Sequence, residues 1–89
     1  MRIRHFEWDE ENIDHIACHG VNPEEVEEAC YHRPYVLRGK DSRYLVYSRT
    51  GDGRYLFIVL AYRRQGLVRV ITARDMTEPE LRLCRNRRK

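Results

Sequence analysis

The sequence predicts a single α+β domain. Two helices follow a first strand, four hairpin-linked strands come next, and a third helix closes the chain, giving the order β-α-α-β-β-β-β-α. Three observations carry this prediction. Near the start, two stretches of helical spacing succeed one another, each opened by a residue suited to an N-cap. From Tyr35 to Arg74 the apolar residues fall in strand patterns, broken by glycine-bearing turns at hairpin intervals. Eighty-nine residues leave room for one small core and no second domain.

Ile3 to Trp8 alternates as a short strand. Asp9 then caps a helix in which Ile13, Ile16 and Ala17 follow at helical spacing, and Gly20 stops it. Asn22 caps the second helix, Pro23 stands at its first position, and Glu25 at the third can bond back to the cap. Val21 and Val26 close a staple across that cap. Val26, Ala29 and Cys30 form the buried stripe, and Pro34 ends the helix. Tyr35 to Leu37 is a short strand. Arg43 to Thr50 alternates, and Gly51-Asp52-Gly53 turns it into Tyr55 to Tyr62, which is apolar on both faces and belongs in the centre of the sheet. Arg64-Gln65-Gly66 turns the chain into Leu67 to Arg74. Thr77 opens the last helix, with Glu80 three residues on as a capping box and Leu81 and Cys84 as its thin apolar side. Hairpins this tight predict an antiparallel sheet, with two N-terminal helices on one face and the other face or rim left for function.

The charge is unevenly distributed. Between His5 and His32 there are nine carboxylates and no lysine or arginine. From Arg33 to Lys89 there are fifteen cations against five carboxylates. All but Lys40 and Lys89 of the seventeen cations are arginine, which favours forked contacts to phosphate or carboxylate. Such polarity fits two different partners, or one partner and one mask. It equally fits an acidic helical face and basic strand ends that keep the protein in solution. No apolar run approaches the length of a membrane span, and the start Met-Arg-Ile-Arg-His runs straight into charges. Cys18, Cys30 and Cys84 lack metal-pair spacing, so reduced thiols and a cytoplasmic location are expected. In that compartment an arginine-rich surface most often meets nucleic acid.

No glycine-rich phosphate loop, nucleophile elbow or paired CxxC occurs, and no cofactor is expected. Three constellations remain. His15 and His19 share a helical face beside Cys18. That spacing suits a metal, but no further ligand completes it unless Cys30 and His32 approach. Solvated histidines, or one acting in proton transfer, are the alternatives. Arg43, Arg49, Arg54, Arg69 and Arg74 sit on or at the ends of three adjacent strands. They can clamp a phosphodiester, or simply guard strand edges. The tail from Arg82 to Lys89, which includes Arg85, suits a helix C-terminus and phosphate contacts, or is a solvated terminus.

Four segments, in order, resemble one family: Phe6-Glu-Trp-Asp9; His19-Gly-Val21 with Pro23-Glu-Glu-Val26; Arg49-Thr-Gly-Asp-Gly-Arg-Tyr-Leu-Phe-Ile-Val59; and Arg69-Val-Ile-Thr-Ala-Arg-Asp-Met-Thr77. Together they resemble the BrnT toxins of type II toxin–antitoxin systems. The resemblance implies a RelE-like fold and a small, metal-independent ribonuclease neutralised by a BrnA-type antitoxin with a ribbon-helix-helix DNA-binding dimer. The expected assembly is a homodimer or a heterotetramer with that antitoxin. The motif positions are Glu7, Asp9, His19, Arg43, Arg69 and Arg74. The expected catalytic set is His19 as acid or base with Arg43, Arg69 and Arg74 for phosphate and transition-state charge. Arg49, Arg54, Arg82 and Arg85 are expected to contact RNA, and Tyr47 or Tyr62 to stack a base. Glu7, Trp8 and Asp9 read as framework. The rival reading is a non-catalytic nucleic-acid-binding regulator on the same fold. A metal-binding sensor rests on the histidine pair alone.

Overall fold

In the computed structural model, which describes residues 2–87, the elements follow the expected order. They are β1 (His5–Glu7), α1 (Glu10–Ala17), α2 (Pro23–Tyr31), β2 (Tyr35–Arg38), β3 (Arg43–Arg49), β4 (Tyr55–Arg64), β5 (Leu67–Asp75) and α3 (Glu78–Arg87). Arg88 and Lys89 of the expected basic tail lie outside the described residues. No helix among the described residues is long and apolar enough to cross a membrane.

Local chemistry sets the helix ends. Asp9 caps α1 and Asn22 caps α2. In both cases the third helical residue bonds back to the cap, Asn12 in α1 and Glu25 in α2. The capping box expected at Thr77 is also formed: the Thr77 amide donates to Glu80 Oε1 at 2.8 Å and the Glu80 amide to Thr77 Oγ1 at 3.4 Å. At the β4–β5 hairpin, Gln65 and Gly66 both have positive φ, 49° and 84°, which matches the two-residue turn that follows strand twist.

The sheet runs β1-β5-β4-β3-β2. The four hairpin-linked strands are antiparallel as expected, but β1 lies parallel to β5, pairing His5 with Leu67, Phe6 with Val68 and Glu7 with Arg69. The sheet is therefore mixed. After β1 the chain passes through α1 and α2 and re-enters the sheet at the far edge. β1 is also shorter than the alternation suggested, because only residues 5–7 reach that edge.

One face buries the core. Val46 of β3, Leu56, Ile58 and Leu60 of β4, and Val68, Val70 and Ala73 of β5 meet Ile16, Val21, Val26, Ala29 and Cys30 from the helical layer. Trp8 is tied to that layer by its indole N–H, which donates to Glu27 at 2.7 Å. The opposite face is not left bare. It carries Tyr47, itself buried, and α3 lies beside it with Cys84 fully buried.

Asn12 joins these parts. It is 3 % exposed and closes the Asp9 cap, while its amide donates to the carbonyls of Glu7 at 2.8 Å and Val70 at 3.2 Å. Asn12→Ala removes a cap partner and leaves two partly or fully buried carbonyls unmet, a loss of roughly 2–4 kcal/mol. Urea denaturation measures this. A change below about 0.5 kcal/mol, the size of an ordinary surface substitution, means that Asn12 does not hold β1 to α1.

Candidate active site

Register sorts the side chains of the α3-side face into rows. Tyr35 pairs with Tyr47, Tyr47 with Phe57, and Phe57 with Arg74, so one row crosses β2, β3, β4 and β5. Arg49 and Tyr55 form the pair next to it, towards the β3–β4 turn. Arg43, Ala61, Arg69 and Glu7 form a row near the opposite end. The five steps from Arg69 to Arg74 cover about 16 Å of extended strand. The expected single clamp of Arg43, Arg69 and Arg74 is therefore split between two ends of the face.

Arg74 sits in a built environment. Its guanidinium lies over the Phe57 ring, 4.5 Å from the centroid. Glu80 of α3 grips it with two bonds of 2.9 and 3.0 Å, and a third bond of 3.1 Å runs to the Asp75 carbonyl. A guanidinium has further N–H donors, so Arg74 keeps part of its fork for a ligand. Tyr47 packs against Phe57 at 5.1 Å and Tyr35 at 5.9 Å, and Arg85 approaches Tyr55 at 5.9 Å. The hydrogen bond to Glu80 raises the Arg74 pKa, and the same pair holds Glu80 below the ordinary carboxylate value. Burial pushes the Tyr47 phenol up, with the negative charge of Glu80 adding to the effect. At neutral pH this row holds a fixed cation, a fixed anion and a protonated phenol.

Arg69 is bound differently. Its side chain is 11 % exposed. One terminal nitrogen donates to Glu7 at 3.1 Å and Asp9 at 2.9 Å, and the other to Asp9 at 3.2 Å and Glu11 at 3.0 Å. These bonds fill both tips of the fork, and three carboxylates give the site a field that repels phosphate. The hydrogen bond to Asp9 raises the Arg69 pKa, and Asp9 is lowered in return. In this geometry Arg69 clasps β1 and α1 to β5. Glu7 pairs with Arg69, Trp8 bonds Glu27 of α2, and Asp9 caps α1.

Arg54 is likewise a tie. It donates to Asp75 at 2.8 Å, to Glu25 at 3.0 and 3.1 Å, and to the Gly20 carbonyl at 2.8 Å. Arg43, Arg49, Arg82 and Arg85 are exposed, at the start of β3, the end of β3 and along α3. Tyr62 lies on β4 facing the helical layer and packs against the core. His19 stands on the α1–α2 turn, in the layer across the sheet from α3, where its ring meets His15 edge-on at 5.5 Å. It is not brought to Arg74. His15 itself bonds Thr72 Oγ1 at 3.1 Å. Among the described residues no group of three His, Cys, Asp or Glu side chains is placed to hold a metal. Burial also pushes the Cys30 thiol up to about 12, which opposes the thiolate a metal needs.

Glu80, Phe57 and Tyr35 were missed by the sequence reading. The register of three hairpin-linked strands places Phe57 and Tyr35 beside Tyr47, and the Thr77 capping box places Glu80 in the first turn of α3, where it reaches Arg74.

Residues 8–80 match the family model described as the ribonuclease toxin, BrnT, of type II toxin-antitoxin systems. No curated protein matches the chain.

The Arg74–Glu80 pair predicts an acid weakness. A carboxylate whose folded pKa is depressed contributes stability above its unfolded value, here 4.5, and loses it as pH falls through the folded value. Melting temperature should therefore fall below about pH 4.5, and the fall should be shallower in Glu80→Gln, with Asp9 supplying the remainder. Superimposable acid limbs for the two proteins would show that Glu80 is not linked to folding.

Proposed function

The chain belongs to the BrnT family of ribonuclease toxins of type II toxin–antitoxin systems, and from that premise we propose that it cleaves RNA at the α3-side face of the sheet, with Arg74 as the residue that stabilises charge on phosphorus. The observation that carries this is the Tyr35–Tyr47–Phe57–Arg74 row, in which Glu80 and the Phe57 ring fix one guanidinium on an aromatic strip. In cleavage through the 2′-hydroxyl, the 2′-proton passes to solvent water as the O2′–P bond forms and the P–O5′ bond breaks; negative charge builds on the phosphorane oxygens, and a preorganised guanidinium meets that charge without having to reorganise. Exposed Arg49 and Arg85 gather at Tyr55, on the β3–β4 turn side of the strip, and hold the phosphate next to the cleavage point. The rings of Tyr55 and Tyr35 give unstacked bases a surface.

Both Glu80 oxygens accept hydrogen bonds and its pKa is lowered, so it is a weak base; its part is to aim Arg74. Tyr47 keeps its proton at neutral pH and is the donor in the row for a phosphate or leaving oxygen. Charge stabilisation then carries most of the rate, with no metal in the scheme. His19, across the sheet, is outside it.

A type II toxin has a protein antitoxin as its partner. The BrnA-like, ribbon-helix-helix antitoxin of this proposal covers the α3 side, where Arg49, Arg82 and Arg85 ask for carboxylates, and leaves the acidic helices outward. The rival reading, a regulator that binds nucleic acid without cutting it, draws on the same Glu80 contact, because a fork gripped by a carboxylate is partly withdrawn from phosphate.

Arg74→Ala should lower single-turnover cleavage of RNA by about 10²–10³-fold, the cost of losing one preorganised donor. Arg69→Ala should instead lower the unfolding midpoint, since it strands a carboxylate cluster. Cleavage should persist in EDTA. If Arg74→Ala cuts as fast as the parent, the site is misplaced; if the parent binds RNA and never cuts it, the regulator reading stands.

Charge reversal of Arg82 and Arg85 should slow association with the antitoxin, and added salt should shrink the difference. Equal association rates at low salt would place the antitoxin elsewhere.

A further inference from the structure

At the end of the sheet away from Arg49 and Arg54, β2 ends at Arg38, β3 begins at Arg43, β4 ends at Arg64, and β1 and β5 begin. Here an open cleft of about 830 Å³ is lined by Arg2, Arg4, His5, Tyr44, Tyr62, Gln65 and Gly66. Its walls are fixed by backbone contacts. The amides of Arg4 and His5 donate to the Gly66 carbonyl at 2.8 and 3.1 Å, and the Gly66 amide donates to the Tyr62 hydroxyl at 2.9 Å. The stem of Arg4 lies so close to Gly66 that a Cβ there would fall 2.7 Å from Arg4 Cγ. Tyr44 and Tyr62 meet edge to face at 6.4 Å.

Arg54, Arg63, Arg69 and Arg74 are all committed to carboxylates. Among the described residues Arg2 and Arg4 form no such pair, so their charge is available to a ligand. Two available arginines beside two partly exposed tyrosine rings provide for a phosphate and for a flat apolar surface in one place. We propose that this cleft is a second RNA-contact site, holding a backbone phosphate at Arg2 and Arg4 and stacking a neighbouring base on the Tyr44–Tyr62 pair. The proposal rests on the ribonuclease reading, which brings RNA to this protein. A run of carboxylates alone satisfies the arginines but leaves the rings unused, because carboxylates do not stack, whereas each nucleotide brings both a phosphate and a flat base. Tyr44 and Tyr62 face the helical side by strand alternation, and the seven steps from Leu67 to Arg74 cover roughly 23 Å. One strand touching both sites runs around the sheet edge and spans several nucleotides. The cleft therefore selects for a single-stranded stretch beside the cleavage point.

The test uses the full chain and a labelled 2′-O-methyl oligouridylate, which cannot be cleaved, with anisotropy read across a salt series. The double variant R2Q/R4Q keeps much of the side-chain stems and removes the charge. Its log–log salt slope should be shallower by about 1.4, two phosphates at roughly 0.7 each. Tyr44→Leu should weaken binding roughly tenfold at one salt, the size of one lost stack, with the slope retained. Melting curves check that each variant is folded; if Tyr44→Leu is not, the slope of R2Q/R4Q decides. An unchanged slope in R2Q/R4Q overturns the proposal. So does a poly-glutamate peptide that binds the parent more tightly than the oligouridylate and is lost in R2Q/R4Q, which makes the cleft an acidic-protein site. Cleavage by the parent with no change in slope sinks the cleft and leaves the ribonuclease reading standing. An Arg2- and Arg4-dependent slope without any cleavage supports the cleft and sinks the ribonuclease reading.

Discussion

Arg69 binds Glu7 of β1 together with Asp9 and Glu11 at the head of α1, and this contact ties the first strand and the start of the helical layer to β5. β1 has three residues and pairs on one side only, which is too little to hold itself in place. Asp9 serves two purposes: it caps α1 and accepts from Arg69. Asn12 adds the Glu7 and Val70 carbonyls. A charge this enclosed must be matched, so the three carboxylates are required by the arginine as much as it is by them.

The same requirement sorts the other arginines. Arg54 stitches the α1–α2 turn, α2 and the end of β5 together, and Arg74 joins β5 to α3. Arginines inside the frame are neutralised by it. Arginines beyond its reach, such as Arg2, Arg4, Arg49, Arg82 and Arg85, keep their charge at the surface. Arg74 belongs to both groups. Glu80 holds it, yet part of its fork stays open and the Phe57 ring sets its plane. The acidic first half of the chain is thus largely structural where it touches the sheet, and solvated where it does not.

The cleft at Arg2 and Arg4 and the strip at Arg74 differ in what holds their cations. In the strip, a carboxylate and an aromatic ring fix one guanidinium in advance, which suits charge that appears only in a transition state. In the cleft, two arginines without carboxylate partners offer charge to a phosphate in its ground state, which suits binding. The fold separates these tasks along the strands, at opposite ends of β4 and β5.

Element order, helix caps, the two tight turns at Gly51–Gly53 and Arg64–Gly66, and the central place of β4 were all readable from the chain. Each depends on residues within a few positions of one another, such as Asp9 with Asn12, Asn22 with Glu25, Thr77 with Glu80, and Gln65 with Gly66. The phenylalanine–arginine row was half readable, because hairpin register extends that local logic across neighbouring strands. Three features were decided by tertiary structure alone: the parallel pairing of β1 with β5, the seating of α3 on the face opposite α1 and α2, and the partner of each arginine. Arg69 and Glu7 stand 62 positions apart, and Arg54 and Glu25 29. Alternation shows which way an arginine points, but only the closed fold shows which carboxylate arrives beside it. An arginine's pairing decides whether it holds the protein together or keeps its charge for a ligand.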